Sequence, residues 1–240
     1  MSYFDNVVDL SKGKLSEYGI NVLSFNVGSA IEGGRYVKPS SRIFPVVLAK
    51  KSAIRPISLQ LEFAGKNEND VVTKIAEFTK KIQAGADILS HDGYGYFCVL
   101  DSIVVDERIS SWIYVVSCKL SGIRHGSKAT VVVSNGDSFY VGGMIDPEAS
   151  ITLNPIIPPT DATVKITNDS GKVVTEFDVA NVESGVTIDG LATKVTDDYT
   201  GQNKFGDVQL FEFPKLSVGK NTVEIAGDVT VIVSYYPLYL

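Results

Sequence analysis

Residues 57–65 read Ile57-Ser58-Leu59-Gln60-Leu61-Glu62-Phe63-Ala64-Gly65, apolar and polar side chains in turn as far as Phe63. Strict period-two alternation predicts a strand with one dry face, and Ala64-Gly65 breaks it. Asn67-Glu68-Asn69-Asp70 follow, short polar acceptors of the kind that satisfy the open N–H groups of a helix start. Val71, Ile75, Phe78 and Ile82 then recur at steps of four, three and four, one stripe of a helical period. Asp70 stands at the positive end, Lys80 and Lys81 near the negative end, and Gly85 where a left-handed stop is needed. The spacing predicts one structural helix lying on a sheet. Burying its four apolar side chains contributes about 6–12 kcal/mol gross, an upper limit.

Residues 94–105 and 112–120 are rich in aromatic and β-branched side chains, with Asp106-Glu107-Arg108 as the expected polar turn of a long hairpin. In the second arm Trp112, Tyr114, Val116, Cys118 and Leu120 share one face, and Ile113, Val115, Ser117 and Lys119 the other. Folding about Arg108 sets Cys98 opposite Cys118, the two cysteines of the chain. They form either a disulfide or metal site or a pair of small buried hydrophobes. The missing secretory leader and the absence of a nearby histidine favour the second. One helix against long antiparallel strands makes this half an α+β domain, the whole chain being mainly β.

At 240 residues the chain is one large or two ordinary domains, and 21% charged with 44% hydrophobic residues is a globular composition. Net charge is −6 without a dense basic run, which argues against a sequence-specific nucleic-acid binder. Mildly acidic walls do suit a passage for DNA, because repulsion prevents sticking. No apolar run approaches the roughly 20 residues that span a bilayer. Met1-Ser2-Tyr3-Phe4-Asp5 lacks the basic and apolar regions of a signal peptide, so no membrane partner and no secretory route are expected.

Residues 6–10 and 20–23, around a turn at 12–14, read as an opening strand pair. Residues 24–53 differ. Gly28, Gly33, Gly34, Pro39 and Pro45 interrupt them, with Arg35, Lys38, Arg42, Lys50 and Lys51 interspersed. That is too long for an ordinary connection. Tyr36-Val37 and the run 43–48 keep strand character, which predicts an extended hairpin arm. Apolar residues on an arm with nothing local to bury them point to another subunit, and Arg35, Tyr36, Val37, Ile43, Phe44 and Val46 are the candidate interface residues. Polar residues 121–128 and the turn Asn135-Gly136-Asp137 place a boundary between 126 and 148, giving a first domain 1–137 and a second 138–240.

The second domain shows β-prone segments at 150–153, 162–167, 172–179, 185–188, 192–195, 208–213, 221–225 and 229–235, with hairpin-type turns at 168–171 and 226–228. That spacing is that of a β-sandwich or jelly roll.

Catalytic patterns are missing. His91 and His125 sit in separate turns outside any H-E-x-x-H spacing, and neither a Gly-x-Ser-x-Gly elbow nor a phosphate-cradling loop occurs. Gly93-Tyr94-Gly95-Tyr96 opens a strand and is a bend. Asp197-Asp198 with Asp189 and Asn203 offer oxygen ligands for calcium, but without the twelve-residue loop pattern a solvated loop is the better reading. Glu62, Asp101 and Asp106 are either an acid/base set or solvent-facing strand residues, the latter fitting their alternation. Tyr94, Tyr96, Trp112 and Tyr114 stack on a sugar or base if exposed together, though core or interface packing is the commoner use. No cofactor, metal or enzymatic activity is expected.

The run 211–225, Phe211-Glu212-Phe213-Pro214-Lys215-Leu216-Ser217-Val218-Gly219-Lys220-Asn221-Thr222-Val223-Glu224-Ile225, and the ending Val231-Ile232-Val233-Ser234-Tyr235-Tyr236-Pro237-Leu238-Tyr239-Leu240 resemble the close of siphophage distal tail proteins. The strand-helix-hairpin of 57–122 resembles that family's N-terminal domain, itself related to tail-tube proteins. The resemblance implies a structural hub of the tail tip or baseplate. Its N-terminal domains form a hexameric ring, arm 24–53 clasps the neighbour, and a galectin-like β-sandwich lies outside. The implied partners are further copies in a homo-hexamer, the tail tube protein, a tail-associated protein, the tape-measure protein and receptor-binding proteins, with phage DNA passing through the ring. The implied location is the virion, after assembly in the host cytoplasm. Larger members carry an inserted sugar-binding module, for which this chain has no room. The alternative is a carbohydrate-binding module contacting the host cell surface, with surface aromatics such as Tyr199 as the test residues.

Overall fold

The structure, a computed structural model, describes residues 7–9, 14–15, 20–29, 36–37, 46–47, 54–83, 85–89 and 93–240. The chain forms two compact units, the first closing at His125 and the second opening at Gly126.

The first unit contains β1 (Val7–Asp9), β2 (Lys14–Leu15), β3 (Ile20–Val27), β4 (Tyr36–Val37), β5 (Val46–Val47), β6 (Ile54–Ala64), α1 (Glu68–Gln83), β7 (Ala86–Leu89), β8 (Gly95–Ser110) and β9 (Ile113–His125). Its main sheet runs β1-β7-β8-β9-β6-β3-β2. The alternation of 57–63 becomes a central strand whose Ile57, Leu59, Leu61 and Phe63 are buried. Helix α1 starts as its sequence predicts. The Asp70 N–H donates to Asn67 Oδ1 at 3.0 Å, and the Lys66 N–H donates to the Asp70 carboxylate at 2.8 Å. That backbone hydrogen bond holds the Asp70 carboxyl below its usual range, helped by the nearby Lys74. At the other end Gly85, at φ 94°, donates to the Ile82 carbonyl at 3.1 Å. Val71, Phe78 and Ile82 are buried against the sheet, and Phe78 meets Phe63 edge-on at 5.7 Å.

Among the described residues β1 and β3 do not pair with each other. β1 instead runs parallel to β7, while β3 pairs with the short β2 and with β6. Val8, buried on β1, extends the core at the far side of the sheet. The hairpin turn also lies later than expected, at Ser111-Trp112, because β8 contains three bulges, at 100/102, 105/107 and 108/110. Each bulge adds a residue to β8 and shifts the register by one. Cys118 therefore faces Ile103 and Cys98 faces Gly122, so the two cysteines are not opposed. Both are free and buried, and desolvation pushes each thiol up to about 12. Trp112 belongs to the turn and is exposed, whereas Tyr114, Val116, Cys118 and Leu120 lie in the core as the alternation predicts.

The second unit contains β10 (Ala129–Val133), β11 (Ser138–Val141), β12 (Ala149–Pro155), β13 (Thr160–Asn168), β14 (Val173–Val182), β15 (Val186–Asp189), β16 (Lys194–Asp197), a 3-10 turn at Phe205–Asp207, β17 (Val208–Leu210), β18 (Gly219–Ala226), β19 (Val229–Tyr235) and β20 (Leu238–Tyr239). The second unit opens at the start of the expected interval 126–148, before the division at 137/138. β10 lies in the second unit because it pairs along its length with β19. Two five-stranded sheets, β10-β19-β12-β15-β16 and β11-β18-β13-β14-β17, enclose one core that includes Ile151, Val164, Phe177, Val223 and Val231. This is a β-sandwich. The 168–171 turn is a hairpin closed by Asn168, whose Oδ1 accepts from the Ser170 and Lys172 N–H groups at 3.1 and 3.0 Å. The 226–228 turn is not a hairpin, since β18 and β19 belong to different sheets. Gly227, at φ 101° and hard against the Asp161 carbonyl, allows the crossing, where a Cβ has no room.

Candidate functional site

Of the residues assigned to the arm, 24–27 belong to β3 and pair with β6, from Ser24↔Gln60 to Val27↔Ile57. Beyond them Tyr36 pairs with Val47 and Val37 with Val46 in an antiparallel ladder that forms a sheet of its own. Tyr36, Val37 and Val46 thus lie on this two-stranded ladder. Arg35, Ile43 and Phe44 lie outside the described residues.

A second surface, missed from sequence, flanks the central strands. β7 covers β8 only from Gly95 to Cys98, so residues 99–110 have β9 on one side and, among the described residues, no strand on the other. Val99, Val104, Val105 and Ile109 on this border are 51%, 56%, 44% and 54% exposed. Across the sheet β2 covers only Ile20 and Asn21 of β3, which leaves residues 22–27 equally open among the described residues. The registers β3–β6, β6–β9 and β9–β8 set residues 22–27 level with residues 100–105 of β8, on opposite sides of one four-stranded segment. Bulges and charged residues on an edge normally discourage uncontrolled pairing. Here they alternate with exposed valines and isoleucine.

The segment has two unlike faces. One is packed on α1. On the other stand Asn26, Ser58, Lys119 and Ser102 in one row and Ser24, Gln60, Ser117 and Val104 in the next. The bulge at 100/102 frees Asp101 to accept from Ser121 Oγ at 2.8 Å, and the bulge at 105/107 frees Asp106 to accept from Ser117 Oγ. Glu62 accepts from Asn21 Nδ2 at 2.7 Å. The three candidate carboxylates thus share a solvated polar face, each with its own neutral donor, the arrangement of surface residues rather than of an acid/base pair. The hairpin tip is tied to the helix start: Tyr114 Oη and Arg108 Nη1 donate to Glu68 Oε1 at 2.9 and 3.2 Å, and the Gly65 N–H donates to the Trp112 carbonyl at 2.9 Å.

The remaining candidates resolve into structural roles. Tyr96 and Tyr114 are core residues, and Tyr94 stacks under Arg124 at 3.3 Å, so with Trp112 at the turn the four aromatics form no platform. His125 is buried, its Nε2 2.9 Å from Asp87 Oδ1 and its ring stacked on Phe97 at 3.9 Å. His91 lies outside the described residues. Asp197 closes its own loop: Oδ2 accepts from Ser184 Oγ, and Oδ1 from the Tyr199 and Thr200 N–H groups at 3.0 and 2.7 Å. The Ser184 hydroxyl, with these N–H groups, holds the carboxyl at about 2. Among the described residues no three of His, Cys, Asp or Glu are grouped to hold a metal ion. Tyr199 stands exposed on that loop.

Among the described residues, a sheet with two unpaired borders and one helix, followed by a β-sandwich, defines a two-unit β-rich fold. Three solved structures share this fold. The SPP1 Dit protein, described as a paradigm of the hub adsorption apparatus in phages infecting Gram-positive bacteria, is 13% identical with a TM-score of 0.63, covering 94% of this chain and 96% of its own. A chain of the phage P2 baseplate, activated with Ca, is 10% identical with a TM-score of 0.59 over 91% of this chain and 90% of its own. A chain of the Sr-activated phage p2 baseplate matches at 9% identity and a TM-score of 0.59, covering 90% of each. The chain thus resembles the distal tail proteins in fold over nearly its whole length. No family model matches the sequence, and no curated protein does.

Proposed function

We propose that this chain is a structural hub of a phage tail tip or baseplate, without enzymatic activity, and that its first units join in a hexameric ring. The observation that carries the proposal is the pair of open borders, β8 residues 99–110 and β3 residues 22–27, on one four-stranded segment. A border that meets the opposite border of the next copy makes a heterologous contact, and repetition of such a contact closes a ring when the rotation from copy to copy completes a full turn. Strand addition of this kind satisfies the edge N–H and C=O groups and covers the exposed valines. The likeness in fold to hub and baseplate chains supports the same reading. In this arrangement the hairpin at 36–47 reaches the neighbouring copy through Tyr36, Val37 and Val46 with Arg35, Ile43 and Phe44. The polar face opposite α1 lines the passage for DNA. The ring links the tail tube protein to a tail-associated protein, with the tape-measure protein and receptor-binding proteins as neighbours. It is assembled in the host cytoplasm and resides in the virion tail.

Light scattering over a concentration series tests this. A species of six subunit masses supports the ring, and a monomer at every concentration refutes it.

A further inference from the structure

Phe211 is the most exposed large apolar side chain of the second unit, at 105% of its reference area. A phenylalanine wholly in water on a mobile loop needs no explanation, but this loop is pinned. Thr175 Oγ1 donates to the Lys215 carbonyl at 2.6 Å and accepts from the Lys215 N–H at 2.9 Å. The Ala149 N–H donates to the Pro214 carbonyl and the Leu216 N–H to the Pro147 carbonyl, both at 2.9 Å. Two residues on, Phe213 packs against the sandwich core. The residues just after Phe211 are therefore held to the sandwich, and its ring borders a cleft of about 530 Å³. Small-molecule sites occupy about 300–1,000 Å³ and combine an apolar surface with a few convergent polar groups.

The polar groups are there and uncommitted. Among the described residues neither the Lys172 ammonium nor the Glu176 carboxylate, both lining the cleft, has an ion-pair or hydrogen-bond partner. Asn168 spends its Oδ1 on Ser170 and Lys172, which leaves its amide N–H donors for the cleft. Asp146 spends Oδ1 on the Val218 N–H and keeps Oδ2. Lys215 and Glu212, 3.4 Å apart, neutralise each other at the rim. A flat apolar ring, both donors and acceptors in the lining and nearly balanced charge match a ligand that is flat and apolar on one side, hydroxylated around its edge and uncharged.

We propose that this cleft binds a neutral pyranose unit of a polysaccharide, stacked on Phe211, with vicinal hydroxyls donating to Glu176 and accepting from Lys172 and Asn168. The cleft lies within one unit of one chain, so the site does not depend on ring closure. The full-length protein is titrated with glucose, galactose and N-acetylglucosamine tetramers, followed by saturation-transfer NMR and calorimetry. The expected result is transfer to the ring protons of at least one tetramer. Phe211→Ala, which removes no buried contact, leaves the melting temperature unchanged and weakens binding about tenfold or more. Glu176→Gln weakens it about tenfold. Tyr199→Ala, also largely exposed but outside the cleft, retains full binding. Absence of transfer to all three tetramers overturns the proposal, as does binding unaffected by Phe211→Ala. Loss of co-assembly with another tail protein in Phe211→Ala, with no saccharide bound by the parent, makes the cleft a protein-docking site and also overturns it. A monomer that binds the sugar, or a ring that does not, separates this proposal from that of the ring.

Discussion

Replacing Val104 and Val105 together by lysine places two charges on the open border of β8 without touching either core. Both side chains are about half exposed in the single chain, at 56% and 44%. Full burial of a valine contributes about 1.5–3 kcal/mol, so covering the remaining half of each gives roughly 0.8–1.5 kcal/mol. Losing both removes about 1.5–3 kcal/mol at each contact, which is roughly a 12- to 140-fold drop in the association constant. Edge lysines also oppose strand addition directly, by keeping a charged head in water where a neighbour has to lie. The assay is sedimentation velocity across a concentration series, with the circular dichroism melt as control. V104K/V105K is expected to move ring formation to at least tenfold higher concentration, with the melt unchanged within a few degrees. A double variant that assembles at the parent's concentration, with the parent's subunit number, refutes the assignment of this border to the interface.

Phe63→Ala empties a fully buried site against Phe78 and is expected to cost about 3–5 kcal/mol in urea unfolding, a loss under about 1 kcal/mol counting against the core described. Asp197 acts through pH. Its carboxyl is held at about 2, below an ordinary 3.8, so its contribution to stability is complete above the ordinary value and is lost as pH falls through the lower one. Asp197→Asn should therefore melt below the parent at pH 7, with the gap closing between about pH 4 and pH 2; a gap independent of pH contradicts the loop chemistry.

Elements governed by local spacing were legible in the sequence. The strand around Leu59 and Leu61 and the helix from Asn67 to Gly85 each carry their own period and stop signals, and the structure reproduces them. The sandwich strands were legible for the same reason, since alternation such as that of Val229, Val231 and Val233 marks one dry face. Register was not. A bulge is one residue that leaves the ladder, and nothing in the composition of Asp101, Asp106 or Ile109 announces it. Three of them carry β8 through the charged residues 106–108 and displace Cys98 from Cys118. Non-local partners were equally hidden, as with the parallel union of β1 and β7 and the union of β10 with β19. The open borders follow from how far β7 and β2 extend, a property of pairing rather than of any motif. Phe211 and Phe213 look alike in sequence, and only the pinned loop shows that one packs inward while the other borders a cleft.

The most direct test is single-particle electron microscopy of the assembled protein at a resolution that traces strands. The expected image is a closed sixfold ring in which β8 of each copy runs beside β3 of the next. Ser117, Lys119 and Gln60 face the channel, and α1 faces away from it. Solitary particles contradict the proposal, and so does a ring in which α1 lines the channel or the two borders stay apart.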